Sequence, residues 1–254
     1  MSSMFDLTGR IALVTGSSKG IGLALAEAVA GAGAEVVVNS RNPDELESTR
    51  VKLADAGHKA HAYAFDVTDQ DAVVDNIERI EAEVGPIDIL FNNAGIQYRS
   101  PLEDFPAEAW RMVMSANLDS VFFVGQAVAK HMIPRGRGKI INTCSLGSEI
   151  ARGTIAPYTA AKGGVKMLTK GMCVDWAKHG LQVNGIGPGY FKTELNRALY
   201  EDPKFDAWVK QRTPAARWGE LDELKGVAVF LASDAAGFVN GHIVYVDGGL
   251  VSAL

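Results

Sequence analysis

Short runs of β-branched and apolar residues recur along the chain, separated by longer stretches whose apolar residues fall three and four apart. The runs Ile11–Thr15, Glu35–Asn39, His61–Phe65, Ile87–Asn92, Lys139–Thr143, Gln182–Ile186 and Ile243–Val246 read as strands. Several are almost wholly apolar, as strands covered on both faces are. Between them, stretches such as Ile21–Ala32, Asp69–Val84 and Pro106–Ile133 read as helices. Strands alternating with helices imply right-handed crossovers and a parallel sheet. The expected fold is therefore α/β: one doubly wound parallel sheet of about seven strands, with helices on both faces, spanning residues 1–254 as a single domain. No internal repeat, low-complexity tract or linker interrupts it. The segment Tyr190–Trp218 breaks the rhythm and carries several aromatic residues, which makes it a candidate lid over a substrate.

After the first strand the glycines fall as G-x-x-x-G-x-G, at Gly16, Gly20 and Gly22. Gly16 permits a sharp exit from the strand. Gly20 lets backbone approach a pyrophosphate, and Gly22 lets the next helix pack close to the sheet. The helix start beyond Ser18, Lys19 and Ile21 offers free N–H groups to an anion. A plain turn also produces such a pattern, but a strand before it and a helix after it favour a dinucleotide site of Rossmann type. The second strand ends in Ser40 and Arg41, where an NAD site usually carries a carboxylate for the ribose 2′-hydroxyl. Arg41 and Lys19 are either solvated surface charges or the partners of a 2′-phosphate, since guanidinium–phosphate bonds are charge-assisted. The second reading predicts NADP(H). Asp66 and Val67 end the third strand, where the adenine is expected. Asn93, Ala94 and Gly95 follow the fourth, where small residues allow close approach of the cofactor.

Tyr158 and Lys162 stand four apart, hence on one face of a helix. A free phenol titrates near about 10 and is a poor base at neutral pH. An ammonium beside it favours the phenolate, as general acid–base catalysis requires. Ser145 follows the fifth strand at the carboxyl edge, where its hydroxyl can hold a substrate oxygen. Asn117 is a polar residue inside an amphipathic helix, open between a satisfied kink amide and a functional group.

Composition narrows the partners. The chain has 254 residues, 47% apolar, with 27 glycines and a formal charge of −5. No Lys/Arg block points to nucleic acid. The start Met1-Ser-Ser-Met-Phe-Asp-Leu has no basic-then-apolar signal pattern, and no uninterrupted apolar run approaches the ~18 residues of a membrane helix. The expectation is a cytoplasmic protein with neither nucleic acid nor membrane as partner. The two cysteines, Cys144 and Cys173, read as small side chains in apolar segments, and the five scattered histidines give no metal spacing.

These elements, in this order from Gly9 to Gly249, resemble the short-chain dehydrogenase/reductase family. The resemblance implies a catalytic tetrad of Asn117, Ser145, Tyr158 and Lys162, with the lysine also binding the nicotinamide ribose and the asparagine holding a relay water. It implies that Pro188, Gly189 and Thr193 lie along the nicotinamide end. It also implies a homotetramer with the Pro106–Ile133 and Ala156–Lys178 helices at an interface. Asn92-Asn-Ala-Gly-Ile-Gln-Tyr-Arg99, His131-Met-Ile-Pro-Arg-Gly-Arg-Gly138, Pro188-Gly-Tyr-Phe191 and Arg212-Thr-Pro-Ala-Ala-Arg-Trp218 are further similar to the bacterial gluconate 5-dehydrogenase branch. That likeness implies exchange between gluconate and 5-ketogluconate. A small polar carboxylate needs a cation and hydrogen-bonding groups, for which Arg99, Arg152, Glu149 and Tyr190 are the candidates beside Ser145. The alternatives are a reductase of 3-oxoacyl thioesters, a sugar or polyol dehydrogenase, and a cofactor-binding sensor without chemistry. The intact Tyr158–Lys162 pair argues against the last.

Overall fold

The computed structural model describes residues 4–253. Its strands are Ile11–Val14 (β1), Glu35–Ser40 (β2), Ala60–Ala64 (β3), Ile87–Asn92 (β4), Gly138–Thr143 (β5), Leu181–Pro188 (β6) and Ile243–Val246 (β7). Each lies where the apolar runs predict one, with ends shifted by at most two residues. They form one parallel sheet in the order β3-β2-β1-β4-β5-β6-β7. Strand order reverses between β1 and β4, so a crevice opens at their carboxyl ends.

The helices are Gly20–Gly31 (α1), Pro43–Asp55 (α2), Gln70–Glu83 (α3), Ala107–Met114 (α4), Ser120–Arg135 (α5), Ala156–Trp176 (α6), Arg197–Tyr200 (α7), Pro203–Arg212 (α8) and Lys225–Ala232 (α9). Alternation along β1 divides the core in two. Ala12 and Val14 pack with Leu25 and Val29 of α1 and Ala228 and Leu231 of α9. Ile11 and Leu13 pack with Ile77 of α3, Val128 of α5 and Met172 of α6. A side chain as deeply buried as Leu13 contributes about 1.5–3 kcal/mol relative to exposure.

The single helix expected over Pro106–Ile133 is instead two α-helices joined by a π-helical turn at Ser115–Asp119. The Asn117 amide lies in that turn and donates to the Val113 carbonyl at 2.8 Å. Such wide turns often mark functional sites. The whole rod, Ala107–Arg135, is long and apolar enough to cross a membrane by length and composition, but half of its most apolar stretch is buried inside the protein.

The Tyr190–Trp218 excursion contains α7 and α8. Its base is pinned where Gly219 donates to the Tyr190 carbonyl at 2.8 Å and Lys192 donates to the Gly219 carbonyl at 3.1 Å.

Candidate active site

A cleft of about 1430 Å³ runs along the carboxyl edge of the sheet. The glycine turn forms one wall. Gly16 and Gly20 have φ of +61° and +59°, the left-handed region that glycine adopts without strain. A Cβ on Gly22 would stand 2.2 Å from the Gly16 carbonyl oxygen and 2.5 Å from the Asn93 amide nitrogen. The turn is fastened to the end of β4. Thr15 Oγ1 accepts from the Asn93 and Ala94 N–H groups at 3.0 and 3.1 Å. Asn93 Nδ2 donates to the Thr15 and Gly16 carbonyls, both at 3.1 Å. Asn39, buried in β2, donates to the Tyr63 and Phe65 carbonyls at 3.1 Å each and accepts from Gly16 N at 3.4 Å. It thus holds three strand ends around the turn.

The first turn of α1 has no side-chain cap from Lys19, so its leading N–H groups are available to an anion. Beyond the turn, Lys19 Nζ stands 3.7 Å from Glu45 and Arg41 Nη1 3.8 Å from Asp66, both as long, largely exposed pairs. Pairs of that kind contribute little, and both cations can turn to a stronger anion. The residues present therefore fit a dinucleotide with a 2′-phosphate: a glycine cradle that a Cβ would fill, a free helix start, and two cations beside Ser40 at the end of β2. Asp66 and Val67 line the cleft farther along this wall, and Asn93, Ala94, Gly95, Pro188, Gly189 and Thr193 line it toward its other end.

The proton-transfer candidates lie at that other end. Ser145 leaves β5 extended, and its Oγ accepts from Gly147 N at 3.1 Å. Lys162 on α6 is buried and donates from Nζ to the Thr143 carbonyl at 2.6 Å. Burial pulls its ammonium down to about 8. The same Nζ lies 5.8 Å from the centroid of the Tyr158 ring. Burial holds the Tyr158 phenol above its ordinary value, and hydrogen bonding to Ser145 pulls the other way without overcoming it. The lowering expected from the i, i+4 lysine is therefore not what the protein alone produces. The ammonium spends its short bond on a carbonyl, and burial dominates at the phenol.

Asn117 is fully buried, donating to Ile96 O at 2.9 Å as well as to Val113, and accepting from Ile96 N at 3.3 Å. It is both a satisfied kink amide and a wall of the cleft. Ser148 gave no signal in the sequence. Its Oγ donates to the Lys162 carbonyl at 2.8 Å and accepts from Ser145 N at 3.3 Å, tying the serine loop to α6. Cys144 is buried, in keeping with the bland reading, and burial raises its thiol to about 11. Cys173 is only partly buried.

Arg99, Arg152 and Tyr190 line the far end of the cleft. Arg99 is held below its usual value by burial and by Arg152 nearby. Glu149 is the exception among the expected substrate groups. It does not line the cleft, and its Oε1 accepts from Lys166 Nζ at 2.6 Å and the Tyr245 hydroxyl at 2.7 Å. Lys166, one turn beyond Lys162 on α6, draws the carboxylate away from the substrate end.

Residues 16–251 match the family model described as enoyl-(acyl carrier protein) reductase. The chain is 58% identical to the gluconate 5-dehydrogenase of Gluconobacter oxydans, over 99% of this chain and 98% of the relative. It is 50% identical to the 5-keto-D-gluconate 5-reductase of Escherichia coli K12 over the full length of both. A gluconate 5-dehydrogenase from Burkholderia cenocepacia, solved in complex with NADP and tartrate, superposes with a TM-score of 0.97 at 56% identity, covering 99% of this chain and 98% of that one. With the sheet order, the glycine turn and the Ser–Tyr–Lys arrangement, these likenesses show that the chain belongs to the short-chain dehydrogenase/reductase family of oxidoreductases.

Proposed function

We propose that the chain is an NADP(H)-dependent oxidoreductase that interconverts D-gluconate and 5-keto-D-gluconate, with Tyr158 as general acid/base. One observation carries the reading: a single cleft joins a phosphate cradle flanked by Lys19 and Arg41 to Ser145, Tyr158 and Lys162, and continues to Arg99 and Arg152. Relatives bearing gluconate and 5-ketogluconate activities, one of them crystallised with NADP and a hydroxylated dicarboxylate, support it.

Bound NADP(H) supplies or accepts the hydride. Gly16, Ser18, Gly20, Ile21 and Gly22 would hold its pyrophosphate, and Lys19, Ser40 and Arg41 its 2′-phosphate. Asp66 and Val67 would flank the adenine, and Asn93, Ala94, Gly95, Pro188, Gly189 and Thr193 the nicotinamide end. Tyr158 Oη gives a proton to the nascent alkoxide in reduction and removes it in oxidation. Burial holds its titration above the ordinary phenol value, so in the protein alone the hydroxyl keeps the proton that reduction donates. Ser145 holds the reacting oxygen. Lys162 would fix the cofactor's ribose, and Asn117 would close the relay behind it. Arg99 clamps the substrate carboxylate, with Arg152 and Tyr190 beside it, and the Tyr190–Trp218 segment covers the substrate.

A cytoplasmic homotetramer goes with this reading. Trp110 and Phe122 on the α4–α5 rod, and Met167 and Val174 on α6, are exposed apolar side chains on the two helices such an assembly would cover.

The test is a steady-state panel followed at 340 nm with NADPH: 5-keto-D-gluconate, 2-ketogluconate, fructose and an acetoacetyl thioester. The expected result is a dominant kcat/KM for 5-keto-D-gluconate. A dominant value for the thioester refutes the substrate assignment.

A further inference from the structure

One cation in the cleft has surroundings that the proton and hydride chemistry leave unexplained. Arg152 Nε is buried with no hydrogen-bond partner. Its guanidinium lies 5.0 Å from the centroid of the Phe205 ring on α8. That ring is itself held, with centroids 5.7 Å from Tyr190 and 5.4 Å from Trp208. Among the described residues, neither Arg152 nor Arg99 is in an ion pair with a carboxylate. The two loops are joined where Ser100 N donates to the Thr154 carbonyl at 3.2 Å, with Thr154 in the left-handed region at φ 71°. Two like charges in one cleft repel unless an anion lies with them. An aromatic ring over one face of a guanidinium attracts it while leaving its in-plane donors for a carboxylate.

We infer that Phe205 is a positioning residue for substrate charge: it holds Arg152 as a second anion-recognising cation beside Arg99, so that α8 sets the preference for carboxylate-bearing substrates. The inference rests on the aldonate reading above and adds to it a residue that does not itself touch substrate.

A double-mutant cycle on gluconate oxidation by the full chain tests it. Phe205→Leu raises KM for gluconate roughly 2- to 30-fold, the range of a partly to well desolvated cation–π contact, while the KM for NADP stays within about twofold. Phe205→Tyr, which keeps a ring, recovers most of the loss. In an Arg152→Gln background, Phe205→Leu adds nothing further, because its effect runs through the guanidinium. Arg152→Lys, which keeps the charge but stacks less well, raises KM even if Phe205→Leu does not fold. Additive losses in the cycle, a wild-type KM in Phe205→Leu or in Arg152→Lys, or a parallel rise in the KM for NADP overturns the inference. If the unmutated chain turns over neither gluconate nor 5-keto-D-gluconate, the substrate assignment falls and this inference with it. Normal turnover with additive variants overturns only the inference.

Discussion

Lys162 is a buried ammonium, and the cost of burying it can be measured without assaying activity. Its ammonium is pulled from the ordinary 10.5 down to about 8 by burial. Below about pH 8 the folded and unfolded chains both carry the proton, and the folded state bears the full burial penalty. Between about 8 and 10.5 the folded state releases the proton while the unfolded state keeps it, so stability rises with pH. At about 1.4 kcal/mol per pH unit the full span is roughly 3 kcal/mol, of which about 2–3 kcal/mol is realised between pH 7 and pH 10. Lys162→Met removes the ionisation and the 2.6 Å bond to Thr143 together. The bond is one constant offset, whereas the ionisation varies with pH. The assay is urea unfolding of cofactor-free wild type and variant at several pH values and one protein concentration. Subtracting the variant cancels every other titrating group that is not in contact with residue 162. The wild-type-minus-variant difference should climb by about 2–3 kcal/mol from pH 7 to pH 10. A flat difference, or one that falls, would show that the lysine is not a destabilised ammonium and would refute the reasoning.

Three further substitutions probe the rest of the cleft. Gly22→Ala places a methyl 2.2 Å from the Gly16 carbonyl oxygen, so the turn must shift. We expect a stability loss of about 1–3 kcal/mol by thermal unfolding and at least a tenfold weaker Kd for NADPH by fluorescence titration. Arg41→Ala should cut kcat/KM with NADPH by about 10- to 150-fold, the equivalent of a lost charge-assisted bond, and change NADH kinetics little. An unmutated enzyme that prefers NADH would end the 2′-phosphate assignment. Arg99→Ala should raise KM for gluconate by the equivalent of about 1.5–3 kcal/mol, and far less for a neutral polyol of similar length. Equal effects on the two would rule out the clamp.

The central strands were legible because they are buried along almost their whole length and so read as nearly continuous apolar runs, β1 as Ile-Ala-Leu-Val and β2 around Val36–Val38. The glycine turn was legible because glycine suits the left-handed backbone of Gly16 and Gly20 and the close contacts at Gly16 and Gly22 leave no room for a Cβ. What escaped depends on tertiary geometry. The π-helical turn at Ser115–Asp119 leaves the apolar spacing of the rod almost unchanged, so Pro106–Ile133 reads as one helix. Among the described residues, Asn117 and Ser120 are the buried polar side chains within it. α2 has too few apolar residues for a clear helical period, but Asn42 accepts from Asp44 N and Glu45 N, with Pro43 opening the helix and acids in its first turn. That capping signature was present in the residues. Ser148 could not be found, because its role is a bond to a backbone carbonyl fourteen residues away. Glu149 was misplaced because its partner Tyr245 comes from a strand nearly a hundred residues on. The phenol's response is hidden for a related reason: spacing puts Lys162 beside Tyr158, but only the tertiary fold has the ammonium donate to the Thr143 carbonyl and buries the phenol.

The central claim is that the Tyr158 hydroxyl moves the proton in an NADP(H)-dependent reduction, and Tyr158→Phe tests it with a change of a single oxygen atom. Pre-steady-state and steady-state reduction of 5-keto-D-gluconate should slow by about 10²- to 10⁴-fold in kcat, with NADPH binding kept within a few-fold of wild type. Near-normal turnover by the phenylalanine variant, with cofactor bound, would contradict the account.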